Sequence, residues 1–141
     1  MKIIQILIVT SAVALGFIAP DLIKSLSQDH NPIDIDKYCM LSTKTCIQDG
    51  VAVTLEHDNA KPLVESKIEV HWDNAASDTL LLSLQGLEMD MGIAKYQLTK
   101  QSDGSYIGNI MLPVCTQDKM TWIGTLSDGN SEVYPAIRME R

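Results

Sequence analysis

Residues 95–112 read KYQLTKQSDGSYIGNIML. Tyr96 and Leu98 alternate with polar neighbours before the centre of this stretch, and Tyr106, Ile110 and Leu112 keep a two-residue phase after it. That period suits a half-buried β-strand, because successive side chains of an extended chain point to opposite faces. Between the two runs lies Ser102-Asp103-Gly104-Ser105. An Asp-Gly step supplies the turn backbone that a tight reversal needs, so the stretch predicts a β-hairpin.

The same pattern recurs on both sides. Towards the N-terminus, Val51, Val53 and Leu55 alternate, then Val64, Ile68, Val70 and Trp72, then Leu80, Leu82 and Leu84. Towards the C-terminus, Trp122, Thr125 and Leu126 keep the period less cleanly. Val133, Ala136 and Ile137 close the chain beside Pro135, which suits an edge strand. Asp58-Asn59, Asp73-Asn74 and Asp128-Gly129-Asn130 supply turns between runs. No stretch after residue 27 carries a helical period. About seven short strands at this spacing predict an all-β fold, an immunoglobulin-like β-sandwich over residues 50–141.

The first 26 residues are of another kind. Residues 3–19 read IIQILIVTSAVALGFIA, with no charge, behind Lys2 and ahead of Asp21 and Lys24. Seventeen residues of helix reach about 25 Å, the short end for a bilayer span. Residues 1–26 are therefore expected to be a single transmembrane helix in a bacterial-type inner membrane, with the N-terminus inside and the rest of the chain in the periplasm. A cleaved signal peptide is the competing reading: Ala12-Val13-Ala14 offers small residues, but leaves a short apolar run before it. Both readings export the remainder. Residues 27–49 form a polar connector without a sustained period.

Setting residues 1–27 aside leaves 9 basic and 17 acidic residues, a net charge of −8. Such a surface repels phosphate backbones, and no basic stripe is present, so nucleic acid is not an expected partner. Charged residues are 21% of the chain, which places it outside the compositions that stay unfolded. Three cysteines in an exported chain imply one disulfide and one leftover thiol. Cys39 and Cys46, seven apart in CMLSTKTC, make the local pair; Cys39–Cys115 and Cys46–Cys115 remain open alternatives.

Nucleophile-elbow, P-loop and dinucleotide signatures are missing, as are H-x-x-x-H, C-x-x-C and HExxH, so an enzyme is not expected. The chemistry-bearing segment is GLEMDMGIAK, residues 86–95. Met89 and Met91 project to one side of an extended chain, and two thioethers form a soft site suited to Cu(I) rather than to Ca²⁺ or Mg²⁺. Gly92 lets the backbone turn there. Cys115, at the end of Leu112-Pro113-Val114-Cys115, and Met120 could complete the ligand set. Methionine in a strand also serves simply to fill a core. Trp122 is expected as a core anchor. His30 reads as solvated, His71 as exposed opposite Trp72, and His57, beside Asp58, as a surface imidazole or an added ligand.

The order Gly86-Leu87-x-Met89-x-Met91-Gly92, Asp103-Gly104-Ser105-Tyr106-x-Gly108, Leu112-Pro113-Val114-Cys115 and Met120-Thr121-Trp122 resembles small membrane-anchored periplasmic proteins of the FixH and YtkA-like group. The resemblance spans about residues 50 to 139. It implies one N-terminal helix, an immunoglobulin-like domain, and a part in copper delivery and haem–copper oxidase assembly. By position, the group's Met-x-Met-Gly element falls on Met89, Met91 and Gly92. Two departures stand out: no histidine adjoins that element, and Cys115 is not common to the group. A membrane complex or a copper acceptor would be the partner. The alternative is a non-metal scaffold that uses the same methionine-rich end as an adaptable apolar patch.

Overall fold

A computed structural model of the chain describes residues 33–141. The anchor expected over residues 1–26, the start of the connector and His30 lie outside the described residues. Among the described residues no helix is long and apolar enough to cross a membrane.

The described chain is all-β. A single 3-10 turn, Ile35–Lys37, is capped by Asp34, whose Oδ1 accepts from the Asp36 N–H. Ten strands follow: β1 (Cys39–Met40), β2 (Cys46–Gln48), β3 (Val51–Leu55), β4 (Ser66–Trp72), β5 (Thr79–Gly86), β6 (Ile93–Lys100), β7 (Tyr106–Ile110), β8 (Lys119–Ser127), β9 (Glu132–Val133) and β10 (Pro135–Glu140). The seven strands of five or more residues carry the seven alternating runs. The other three are two or three residues long, too short to show a period.

The strands pair in the order β1-β10-β8-β5-β6-β7-β4-β3-β2, with β9 beside β8. All pairings are antiparallel except β1 with β10. A disulfide joins Cys39 on β1 to Cys46 on β2, with Cα atoms 6.3 Å apart. It links the two strands at opposite ends of the path and so closes a barrel-like ring covalently. The Cys39–Cys46 pairing is thereby established over its alternatives, and Cys115 is the free thiol. Residues 39–48, read from the sequence as connector, supply two strands of the sheet.

Pro135 does not lie on an open edge. β1 covers it: the N–H groups of Cys39 and Leu41 donate to the carbonyls of Tyr134 and Ala136, on either side of Pro135. Pro135 lacks an N–H, and this parallel register asks none of it.

The core follows the alternation. Ile68 and Val70 on β4, Leu80, Leu82 and Leu84 on β5 and Leu98 on β6 are fully enclosed. On β8, Met120, Thr121, Trp122 and Ile123 are all buried, so this central strand is covered on both faces. Trp122 is the core anchor expected from the sequence, at 0% exposure. Antiparallel register brings the end of β5, the starts of β6 and β8, the end of β7, the start of β4 and the end of β10 to one rim of the ring. Ala60, in the β3–β4 loop, reaches that rim too, bridging to Met139 through Ala60 N–H to Arg138 O and Glu140 N–H to Ala60 O.

Candidate functional site

Five methionines collect at this rim: Met89 and Met91 in the β5–β6 loop, Met111 after β7, Met120 on β8 and Met139 on β10. Each arrives for a local reason. The β5–β8 ladder continues one residue past Gly86, where Leu87 N–H donates to Thr121 O at 2.9 Å. Glu88 then folds back, its Oε2 accepting from Thr121 N–H at 2.7 Å. Arg138 donates to Thr121 Oγ1 at 2.8 Å and lies 3.7 Å from Glu88 Oε1. Partial burial raises the pKa of the Glu88 carboxyl, but the hydrogen bonds from Thr121 and the Arg138 charge outweigh it, and the group lies below its ordinary value of 4.5. A carboxylate that stays charged keeps this clamp in place at neutral pH.

With its first residues clamped, the loop reverses over Met89–Gly92. Asp90 Oδ1 accepts from Gly92 N–H at 2.9 Å, and Gly92 takes φ +74°. Residues 87–92 are bends and loop rather than strand, so strand alternation does not govern where Met89 and Met91 point. Both are half-buried and pack against the core, while Asp90 between them is exposed.

Met120 is fully enclosed, and its methyl carbon lies against Gly86. A Cβ at Gly86 would stand 1.9 Å from that methyl and 2.3 Å from the Met89 carbonyl oxygen. A thioether side chain from β8 therefore runs beneath the loop that carries Met89 and Met91. Met120 and Met139 are direct partners in the β8–β10 ladder.

Cys115 lies in the β7–β8 loop with 4% of its surface exposed. Its Sγ donates to the Gln117 carbonyl at 3.2 Å, and its own carbonyl accepts from the Arg141 guanidinium. The Tyr96 hydroxyl on β6 donates to the Met111 carbonyl, tying this loop to the β5–β6 hairpin. Burial pushes the Tyr96 hydroxyl above its ordinary pKa, and the bond to Met111 only partly offsets that.

Of the histidines, His71 is exposed beside Glu69 at 3.3 Å, and its neighbour Trp72 is half-buried. His57 lines a cavity in the β3–β4 loop with Asn59, Lys61, Val64, Glu65 and Ser66. No sequence pattern marks this grouping, because the loop that gathers these residues has no period. Among the described residues no three His, Cys, Asp or Glu side chains converge to hold a metal ion. The methionines at the rim carry thioethers, a donor type that suits a soft monovalent ion.

Comparison with protein-family models, with curated proteins and with solved structures gave no significant match to the chain.

Proposed function

We propose that this chain is a membrane-anchored periplasmic accessory protein whose exported β-domain binds Cu(I) at the methionine rim, serving copper delivery or assembly of a respiratory oxidase. The observation that carries this reading is the approach of Met120 to Gly86 and the Met89 carbonyl. It places a methionine of β8 beneath the loop that carries the other two. Met89 and Met91, half-buried at the lip, are the ligands a partner could reach; Met120 is the ligand below. Cys115 would join only after giving up its bond to Gln117. When bound, the ion supplies the cargo that an acceptor protein takes up; the loop's part is to hold soft donors where an acceptor can displace them.

We read the fold more finely as an immunoglobulin-like sandwich. β6 and β7 share only two register pairs, Thr99–Ile107 and Lys100–Tyr106, against seven between β5 and β6. Taking this thin pairing as the boundary would divide the path into β1-β10-β8-β5-β6 and β7-β4-β3-β2, two layers about one core. Residues 1–26 are proposed as the anchor that places this domain on the periplasmic side of an inner membrane.

A second reading, a scaffold without metal, is favoured by the enclosure of Met120 and Cys115 and by the apolar side chains exposed at the same rim. Leu63, Ile93, Met111 and Val114 are 62%, 65%, 44% and 49% exposed. Such side chains suit a protein partner in a membrane complex.

Anaerobic titration of the full chain in detergent with Cu(I) against a competing chelator separates the two. Copper handling predicts saturable binding, weakened at least about tenfold when Met89 and Met91 are both changed to Leu. Affinity unchanged in that double variant removes the copper reading. Co-purification of a membrane partner that survives copper chelation then supports the scaffold.

A further inference from the structure

We propose that the cavity in the β3–β4 loop binds a small zwitterion of the α-amino-acid class, with an apolar side chain. The cavity holds about 340 Å³ and is lined by His57, Asn59, Lys61, Val64, Glu65 and Ser66. That volume is within the range of small-molecule sites, roughly 300–1,000 Å³.

Two properties of its wall point to a ligand. The first is charge of both signs on one wall: Lys61 and Glu65 line it together and, among the described residues, form no ion pair with each other or with another side chain. The second is rigidity. The wall is tied to β10 through Ala60 and to the β7–β8 loop through Leu63 N–H to Leu112 O at 2.9 Å. A turn closed by Val64 N–H to Lys61 O holds Leu63 at φ +57°, a backbone that a leucine rarely adopts. Lys61 and Val64 are therefore presented by a fixed turn rather than by a free loop.

The signs select the ligand. A plain anion would meet Lys61, but also Glu65 and the net charge of −8 carried by residues 28–141. A plain cation would meet Glu65 but also Lys61. A zwitterion satisfies both at once, its carboxylate towards Lys61 and its ammonium towards Glu65. Val64, 49% exposed, offers apolar contact for the side chain. The site does not involve the methionine loop and stands independently of copper.

The test is a titration of the isotope-labelled full chain in detergent micelles with L-leucine, followed by NMR at the amides of His57, Asn59, Val64 and Ser66. Saturable shifts confined to this loop are expected. They should weaken at least about fivefold with leucinamide, which lacks the carboxylate, and with N-acetyl-leucine, which lacks the ammonium. Lys61→Met and Glu65→Gln should weaken leucine binding similarly, and Met89→Leu with Met91→Leu should leave it unchanged. No saturable shift with leucine overturns the proposal. So does an equal response to leucine and N-acetyl-leucine, which would mark a simple anion site.

Discussion

The methyl carbon of Met120 occupies the space where a side chain at Gly86 would begin, 1.9 Å from the position of a Cβ there. The Met89 carbonyl oxygen closes the same space from the loop side at 2.3 Å. Glycine is therefore required at residue 86 by close approach, not by backbone conformation. Gly86→Ala should destabilise the domain by about 1–3 kcal/mol, the range for overpacking a filled site. Met120 has a flexible end that can withdraw, but the carbonyl cannot move without shifting the loop. Adding Met120→Ala to Gly86→Ala should thus fail to restore wild-type stability. Urea midpoints of the single and double variants give the answer; full recovery in the double variant would show that the loop backbone yields freely.

The disulfide between β1 and β2 lends itself to a count. Cys115 is enclosed and the other two cysteines are bonded, so the native oxidised chain should expose no fast-reacting thiol. Unfolding without reductant should release one, and mass spectrometry should find the label on Cys115. Changing Cys39 and Cys46 together to Ser should cost about 2–3 kcal/mol, as expected for so short a loop from its lost constraint on the unfolded chain. Labelling of Cys39 or Cys46 in the unfolded oxidised chain would contradict the pairing.

Acid should loosen the turn after β8 in a defined direction. Asp128 is 7% exposed, and its two oxygens accept from the N–H groups of Ala76, Ser131 and Asn130 at 2.8, 2.8 and 2.9 Å. Those bonds hold its pKa below the ordinary 3.8. A depressed folded pKa contributes stability that is fully present above the unfolded value and is lost as pH falls through the folded one. Asp128→Asn has a single carbonyl oxygen and must turn an NH2 towards at least one of these donors. The variant should be less stable than wild type at pH 7, and the gap should narrow as the pH is taken below 3.8. A gap that is constant with pH would mean that the charge contributes nothing.

How far these features could be read from the sequence depends on their range. The Ser102–Ser105 hairpin was legible because its chemistry is local: Asp103 Oδ1 accepts from Ser105 N–H and Oγ, and Gly104 takes φ +88°. The alternating runs were legible for the same reason. The β2–β3 hairpin was missed although its signal was present, since Asp49 and Gly50 both have positive φ, the pairing expected of an Asp-Gly reversal. The parallel seam of β1 on β10 left no trace, because two residues cannot display a period. Met89, Met91 and Met120 could be singled out by type, but their proximity could not. The contact of Met120 with Gly86 joins residues 34 positions apart and depends on the β5–β8 register. The cavity around Lys61 was illegible because a loop anchored at Ala60 by β10 has no pattern of its own.

The turn at Lys61-Pro62-Leu63-Val64 offers the last test, since it combines strain with exposure. Pro62 fixes its own φ at the first central position, and Leu63 follows at φ +57°, where a turn of this kind favours glycine. A leucine there costs about 1–2 kcal/mol relative to an unstrained backbone. Its side chain is 62% exposed and so recovers little of that by packing. Leu63→Gly removes the Cβ clash but adds freedom to the unfolded chain, a smaller opposing effect of roughly 0.5–1 kcal/mol. The net expectation is a modest gain, with a higher urea midpoint and an unchanged slope. Leu63→Ala keeps the Cβ and should give no such gain. If Ala and Gly stabilise equally, the relief comes from removing an exposed apolar side chain and not from the backbone. If neither does, Leu63 makes contacts at the rim whose loss outweighs the strain.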